Sequence, residues 1–376
     1  GFGSDSDISW QSVVTSNTTM VAGRGYFVDS SGGAITMTLP ASPSLGDTVA
    51  IVALDGGTNA VTVARNSSNI EGGTDNLSIN TDYGAVTLVY SDASNGWYRH
   101  NNEVPDSFVS ATGGTETTSG NFKIHTYNSS SNFVVSQASN NSDNNEVSYM
   151  VVAGGGGGGG NRGGGGGAGG FREGRAANDS YTVSPLNAPA GITVSQATYP
   201  ITVGAAGSGE PAPTNQGAGT KGSNSVFSTI TSAGGGGGRD DDSPDTTPKS
   251  PGGSGGGGGG GAAPQNTGGT GNTPPVSPPQ GSTGGSGDTD DGNGNQGGGG
   301  GGATAVGVSN SSPVSHGGAG ATTHITGSPV AYAGGGGAGA VPGRAAGNAG
   351  TGGASAGAAL GSPASNATNN KGGGGG

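Results

Sequence analysis

Along the first hundred residues, short apolar runs alternate with polar punctuation. Ile35, Met37 and Leu39 alternate with Thr36 and Thr38, the two-residue period of a half-buried strand. Other β-branched and aromatic runs fall at 26–29, 48–54, 60–64, 85–90 and 97–100. Residues 1–105 therefore read as an all-β domain, a small sandwich or barrel. The DGG at 55–57 and the DASNG at 92–96 lie between runs, where glycine would supply the positive φ of hairpin turns. Residues 106–120 are polar and read as a linker. A second β region spans 121–233. Its pattern predicts a hairpin from 122–127 and 133–135, and an apolar strand at 147–153 (VSYMVVA) that runs directly into glycine. Runs at 192–194, 199–203 and 226–230 complete it.

Beyond 233 the apolar pattern fails. From residue 228 to the end there are ten Val, Ile, Leu, Met, Phe, Trp or Tyr side chains, and Tyr332 is the one aromatic. Ordering a backbone costs about 1–2 kcal/mol per residue, which so few side chains cannot offset through a hydrophobic core. The segment 234–376 is thus either disordered or held by its own backbone. The chain has 89 Gly, and 16 of them lie in 1–153, so about one residue in three is Gly thereafter. Uninterrupted runs occur at 154–160, 163–167, 234–238, 255–261, 297–302, 334–337 and 372–376, joined by polar stretches. The spacing of the later runs is a loose internal repeat of one glycine rod and one excursion.

Three arrangements of such runs compete. A flexible Gly/Ser linker matches the composition. Collagen requires Gly at every third position over long spans, which the chain lacks. Packed polyproline-II rods are the third. Each has about three residues per turn, a rise near 3.1 Å and no internal hydrogen bonds, so every N–H and C=O is free to bond a neighbouring rod. Clean blocks at similar intervals, the first launched from a strand, favour rods over a linker. Gly154, Gly163, Gly234, Gly258, Gly299 and Gly335 mark the scaffold. The fold class expected is all-β N-terminal domains followed by a polyglycine-II sandwich with long loops and essentially no α-helix, the rods occupying 234–376.

Composition excludes several functions. Cysteine is absent, the net charge of −12 opposes nucleic-acid binding, and no stretch is long and apolar enough for a membrane span. The four His show no zinc spacing, GxGxxG strings arise by chance in so glycine-rich a chain, and nothing marks a nucleophile. No enzyme activity and no cofactor are expected. Asp240, Asp241, Asp242 and Asp245, and Asp288, Asp290 and Asp291, are hard oxygen donors in Gly-rich turns. Solvated loop acids are the plain reading, with Ca²⁺ at Asp288, Asp290 and Asp291 as the alternative. Loops on a rigid scaffold commonly carry binding determinants. Those acids, with His316, His324 and Tyr332, are the candidate receptor contacts in loops at 239–251, 262–296, 303–333 and 338–371. Starting without Met and stopping within a glycine run, the chain reads as a segment of a longer polypeptide.

The stretch from Gly23 to Arg99, including GRGYFVDSSGGAITMTLPASPSLGDTVAIVALDGG, resembles the β-repeat of marine bacteriophage tail fibres. YMVVAGGGGGGGNRGGGGGAGGFREG, followed by YPITVGAAGSG and GSNSVFSTITSAGGGGG, is similar to the glycine-rich domain of tail-fibre and surface proteins and to T-even-type tip adhesins. The resemblance implies a virion-attached, extracellular fibre protein that binds a bacterial surface receptor, carbohydrate or outer-membrane protein. It also implies other fibre or virion proteins as partners and a homo-oligomer, trimer or filament. The alternative is a self-assembling structural subunit of an extracellular filament or surface matrix.

Overall fold

A computed structural model describes residues 8–100, 108–139, 142–210, 217–240, 251–261, 266–288, 295–310, 314–359 and 362–376. It has no α-helix among them and is built of small sheets and extended glycine-rich backbone. The chain divides into two compact units, residues 1–105 and 106–376.

In the first unit the chain winds between two sheets. Strands β1 (Ser9–Trp10), β3 (Arg24–Val28) and β5 (Thr48–Ala53) stack in parallel in one sheet. The intervening β2 (Thr18–Thr19), β4 (Ile35–Thr38) and β6 (Val61–Ala64) stack in parallel in the other. Strands β7 (Leu77–Ile79), β8 (Gly84–Asp92) and β9 (Gly96–Arg99) close the two sheets antiparallel. This is a two-sided parallel coil rather than a hairpin sandwich. The turn at 92–96 does join paired strands, with Gly96 at φ 80°. The DGG at 55–57 instead crosses from one sheet to the other, and neither Gly56 nor Gly57 has positive φ. Gly56 serves close approach: a Cβ there would lie 2.5 Å from the Thr81 carbonyl oxygen. Alternation places Met37, Val49, Ile51, Val61, Val63, Leu88 and Trp97 inside, fully buried.

The second unit begins with β10 (Ser110–Thr112) and β11 (Thr115–Ser119), so part of the expected linker is strand. Its β-branched threonines make polar but sheet-compatible backbone. The expected hairpin is also re-paired. Strand β12 (Phe122–Thr126) pairs with β11, whereas β13 (Ser131–Gln137) pairs with β10 and with β19 (Ala197–Thr202). The apolar stretch 147–153 divides into β14 (Glu146–Val147) and β15 (Tyr149–Val152). The latter pairs with β16 (Phe171–Gly174), which pairs in parallel with β17 (Asn187–Ala188), while β18 (Ile192–Thr193) pairs with β14. Two hairpins follow, β20 (Ser225–Phe227) with β21 (Ile230–Ser232), and β22 (Ala321–Thr323) with β23 (Val330–Tyr332).

The glycine runs form a hexagonal lattice of rods. The run 163–170 is its axis. Gly164, Gly167 and Gly170 donate to carbonyls of 233–239; Gly165 and Ala168 donate to Gly298 and Gly301; Gly166 and Gly169 donate to Gly375 and Gly372. Successive N–H groups therefore point at three rods in strict rotation, as three residues per turn requires. The carbonyls of the same run accept from three other rods, through Gly156 N, Gly257 N and Gly336 N at 2.8–2.9 Å. Those six neighbours (153–160, 233–239, 252–261, 295–302, 333–340 and 372–376) are themselves bonded in a closed ring. The ring runs through Gly235 N to Gly154 O, Gly236 N to Ser254 O, Gly298 N to Gly258 O, Gly300 N to Gly336 O, Gly374 N to Gly334 O and Gly375 N to Gly156 O.

Outside the ring lie rods that are not polyglycine: 204–210, 217–223, 266–272, 281–288, 305–310, 315–320, 345–351 and 354–359. Most turn glycine at a three-residue spacing toward an adjacent rod, as at Gly204 and Gly207, Gly219 and Gly222, Gly284 and Gly287, or Gly347 and Gly350. A Cβ at any of these would lie 2.0–2.1 Å from a neighbouring carbonyl oxygen or, at Gly350, 1.9 Å. The excursions 262–296, 303–333 and 338–371, expected as loops, thus each contain two further rods.

Candidate functional site

The register of the lattice sorts its connections to two ends. At one end the rods emerge from the sheets: Ala153 bonds Gly170 beside the β15–β16 pair, and the β20–β21 and β22–β23 hairpins join rods there. At the other end the axial run turns back at 161–162. Lateral bonds place the rod termini at 210, 217, 240, 261, 266, 288, 295, 310, 315, 340, 345 and 359 at that same end. Examples are Gly160 N to Gly217 O, Gly164 N to Arg239 O, Gly260 N to Arg162 O, Asp288 N to Gln296 O and Ala340 N to Ala358 O. The described termini on either side of the polar stretches 211–216, 262–265, 289–294 and 311–313 are all at this end.

The described surface of this end is held by a polar network. Arg344 lies 3.6 Å from the Asp288 carboxylate, and its guanidinium donates to the Asn310 backbone oxygen at 3.1 Å and to the Asn310 side-chain oxygen. One side chain thereby ties the ends of two outer rods to the turn at 341–344. That turn closes through Arg344 N to Val341 O, with Gly343 at φ 83°. Gln296, fully buried, donates Nε2 to the carbonyls of Gly339 and Ala345 at 2.8 and 2.7 Å.

The expected contact residues do not converge. Asp240 is buried at the end of rod 233–239, and Asp288 faces Arg344. Asp241, Asp242, Asp245, Asp290 and Asp291 lie outside the described residues. His316 is part of an outer rod: its Nδ1 accepts from Asn348 N at 2.9 Å and its carbonyl from Val308 N. His324 and Tyr332 sit at the sheet end. His324 donates its backbone N–H to Thr182, and Tyr332 packs in the apolar cluster of Phe171 and Ala321 with Lys371 4.4 Å from its ring centroid. Tyr332 is thus a core residue, because the excursion that holds it returns to the sheets as a hairpin. Among the described residues no group of three or more His, Asp or Glu is placed to hold a metal ion. Arg344, Asn310 and Gln296 are the site residues the sequence reading missed. Their one sequence signal is a large polar side chain interrupting small-residue backbone.

The sheet end carries a second polar cluster. The buried Glu173 carboxylate accepts from Ser184 N at 2.9 Å and Thr323 Oγ at 2.5 Å, fastening the β22–β23 hairpin to β16. The Ser148 hydroxyl donates to Asp179 and accepts from Ala176 N. The Tyr181 hydroxyl is buried without a hydrogen bond of good geometry, and burial first, then the Glu173 carboxylate, pushes its pKa far above that of an ordinary tyrosine.

This geometry coincides with a defined sequence family. The family described as a glycine-rich domain matches residues 128–376, about two thirds of the chain. The chain belongs to that family. No curated protein matches it. The glycine-rich domain so delimited contains every rod of the lattice and excludes the first β unit. Among its described residues no helix is long and apolar enough to cross a membrane.

Proposed function

We propose that this protein is a tail-fibre adhesin that attaches a virion to a bacterial host, with the connection end of the glycine lattice as its receptor-facing surface. The observation that carries the proposal is the sorting of the connections. The scaffold is held by backbone hydrogen bonds, and the described rod ends that flank the polar stretches 211–216, 262–265, 289–294 and 311–313 all lie at one end, remote from the sheets. Such a surface suits a polar partner, either a surface carbohydrate or the outer loops of a membrane protein, bound without chemical conversion. Several copies on one particle would multiply weak contacts into firm attachment.

The test replaces residues 289–294 by a Gly-Ser stretch of equal length and measures binding to outer-membrane vesicles and to a glycan array. Loss of binding with unchanged thermal unfolding is the expected result. Unaltered binding by that variant and by a matching replacement of 211–216 overturns the proposal. Unlimited polymerisation of the purified chain would favour the filament-subunit reading instead.

A further inference from the structure

Run 153–160 has one face that the lattice does not use. Its N–H groups follow the three-residue rotation: Ala153, Gly156 and Gly159 donate to the axial run, and Gly154, Gly157 and Gly160 donate to rod 217–223. The third direction belongs to Gly155 and Gly158. Their N–H groups donate to no acceptor among the described residues. Two rods flank this direction. Rod 204–210 donates to the run through Gly207 and Glu210, but among the described residues the Ala206 and Gly209 carbonyls have no backbone donor. The run 372–376 leaves the Gly373 carbonyl without one, and that oxygen lies 2.1 Å from where a Cβ on Gly155 would sit. Donors at 155 and 158 thus alternate with acceptors at 206, 209 and 373, the pattern that surrounds an occupied rod position elsewhere in the lattice. A cavity of about 950 Å³ beside the sheets reaches Gly155, Ala206 and Gly373 at one end of this groove.

We propose that this groove is a binding site for an extended glycine-rich strand of another polypeptide, which docks in polyproline-II conformation and completes the lattice. Buried backbone groups are almost always paired, so a row of unpaired ones at a fixed period defines its own complement. The complement should present glycine at every third position where it faces run 153–160, as the outer rod 217–223 does with Gly219 and Gly222, whose Cβ positions lie 2.1 and 2.0 Å from the Gly157 and Gly154 oxygens. This is strand addition transferred from a sheet edge to a rod lattice. It stands apart from the receptor surface proposed above and is independent of that reading.

Gly209 supplies the blocking variant. Unlike most rod glycines, it is exposed and has room for a side chain, and a Cβ there would lie 3.6 Å from the Gly158 oxygen and 3.8 Å from its nitrogen. Gly209→Val therefore keeps the lattice and obstructs the groove. The probe is a fluorescein-labelled heptapeptide with the sequence of residues 281–287 (GSTGGSG), added to the full chain and read by anisotropy. The control peptide carries valine at the first, fourth and seventh positions. Saturable binding that weakens at least tenfold with the control peptide, and again with Gly209→Val at unchanged unfolding temperature, is expected. Exchange of the Gly155 and Gly158 amides should slow at least tenfold on adding the first peptide. Absence of saturable binding, equal binding of both peptides, or Gly155 and Gly158 amides as protected in the free protein as Gly156 and Gly157 would each overturn the proposal.

Discussion

Gly166 lies midway along the axial run, and replacing it by alanine is the sharpest test of the lattice. The added Cβ would sit 2.2 Å from the Gly156 carbonyl oxygen and 2.8 Å from that of Gly157. Both contacts are backbone, so no side chain can swing away, and run 153–160 must retreat by about an ångström. That retreat strains the bonds joining the two runs, Gly156 N to Gly167 O and Gly159 N to Gly164 O. A backbone hydrogen bond is worth about 1 kcal/mol net, and a buried group left unpaired costs about 1–3 kcal/mol. Disturbing two such bonds puts the loss at about 2–6 kcal/mol. Against this, alanine restricts the unfolded chain and returns only about 0.4–1 kcal/mol. Gly209→Ala provides the internal comparison: it restricts the unfolded chain equally and meets no backbone within 3.6 Å. Calorimetric unfolding of the two variants should therefore diverge, with Gly166→Ala lowered by several degrees to about 20 °C, at about 2–4 °C per kcal/mol for a unit of this size. Gly209→Ala should be level with the parent or slightly above it. Equal unfolding temperatures for the two variants would refute the claim that backbone packing at the axis holds the domain.

Other substitutions extend the same logic. Gly258→Val places a branched side chain where a Cβ alone would lie 2.2 Å from the Asn266 oxygen, and should cost at least as much as Gly166→Ala; Thr270→Ala, on the exposed side of an outer rod, should change the unfolding temperature by under ~2 °C. Arg344→Met should destabilise the connection end by about 1–3 kcal/mol, read as faster amide exchange at Asn310 and Arg344 with the axial run unaffected. Burial raises the pKa values of Tyr149, Tyr181 and Tyr332 above the ordinary tyrosine value. The unfolded chain ionises first, so this contribution to stability is complete below about pH 10 and falls as pH rises further; the phenolate absorbance of these three tyrosines should appear together with unfolding in an alkaline titration.

The seven uninterrupted glycine runs of the sequence are the axis and the six ring rods. The reason is geometric: a rod enclosed on all sides has no direction in which a Cβ fits, so each residue along its packed length must be glycine or nearly so. The outer rods were illegible as rods because they need glycine on one face only. A spacing such as Gly204-Ala-Ala-Gly207 or Gly284 to Gly287 is too short to distinguish from ordinary loop composition. In the first unit, Ile35, Met37 and Leu39 marked a strand face correctly, yet the winding between sheets could not be read, since parallel coil and antiparallel sandwich share the two-residue alternation. Tyr332 misled for a related reason. A lone aromatic in a polar excursion resembles a contact residue until the excursion is seen to return to the sheets.

The same geometry explains how a scaffold nearly devoid of apolar side chains holds together. In an ordinary domain a loop is anchored by side chains that pack into the core, so changing the loop often disturbs the fold. Here the described rods are held to one another through backbone N–H and C=O groups, most of them glycine's. Arg344, Asn310 and Gln296 are the exceptions, large polar side chains that brace rod ends where lateral bonding gives out. Constraint therefore falls on glycine spacing within the rods and on those few braces.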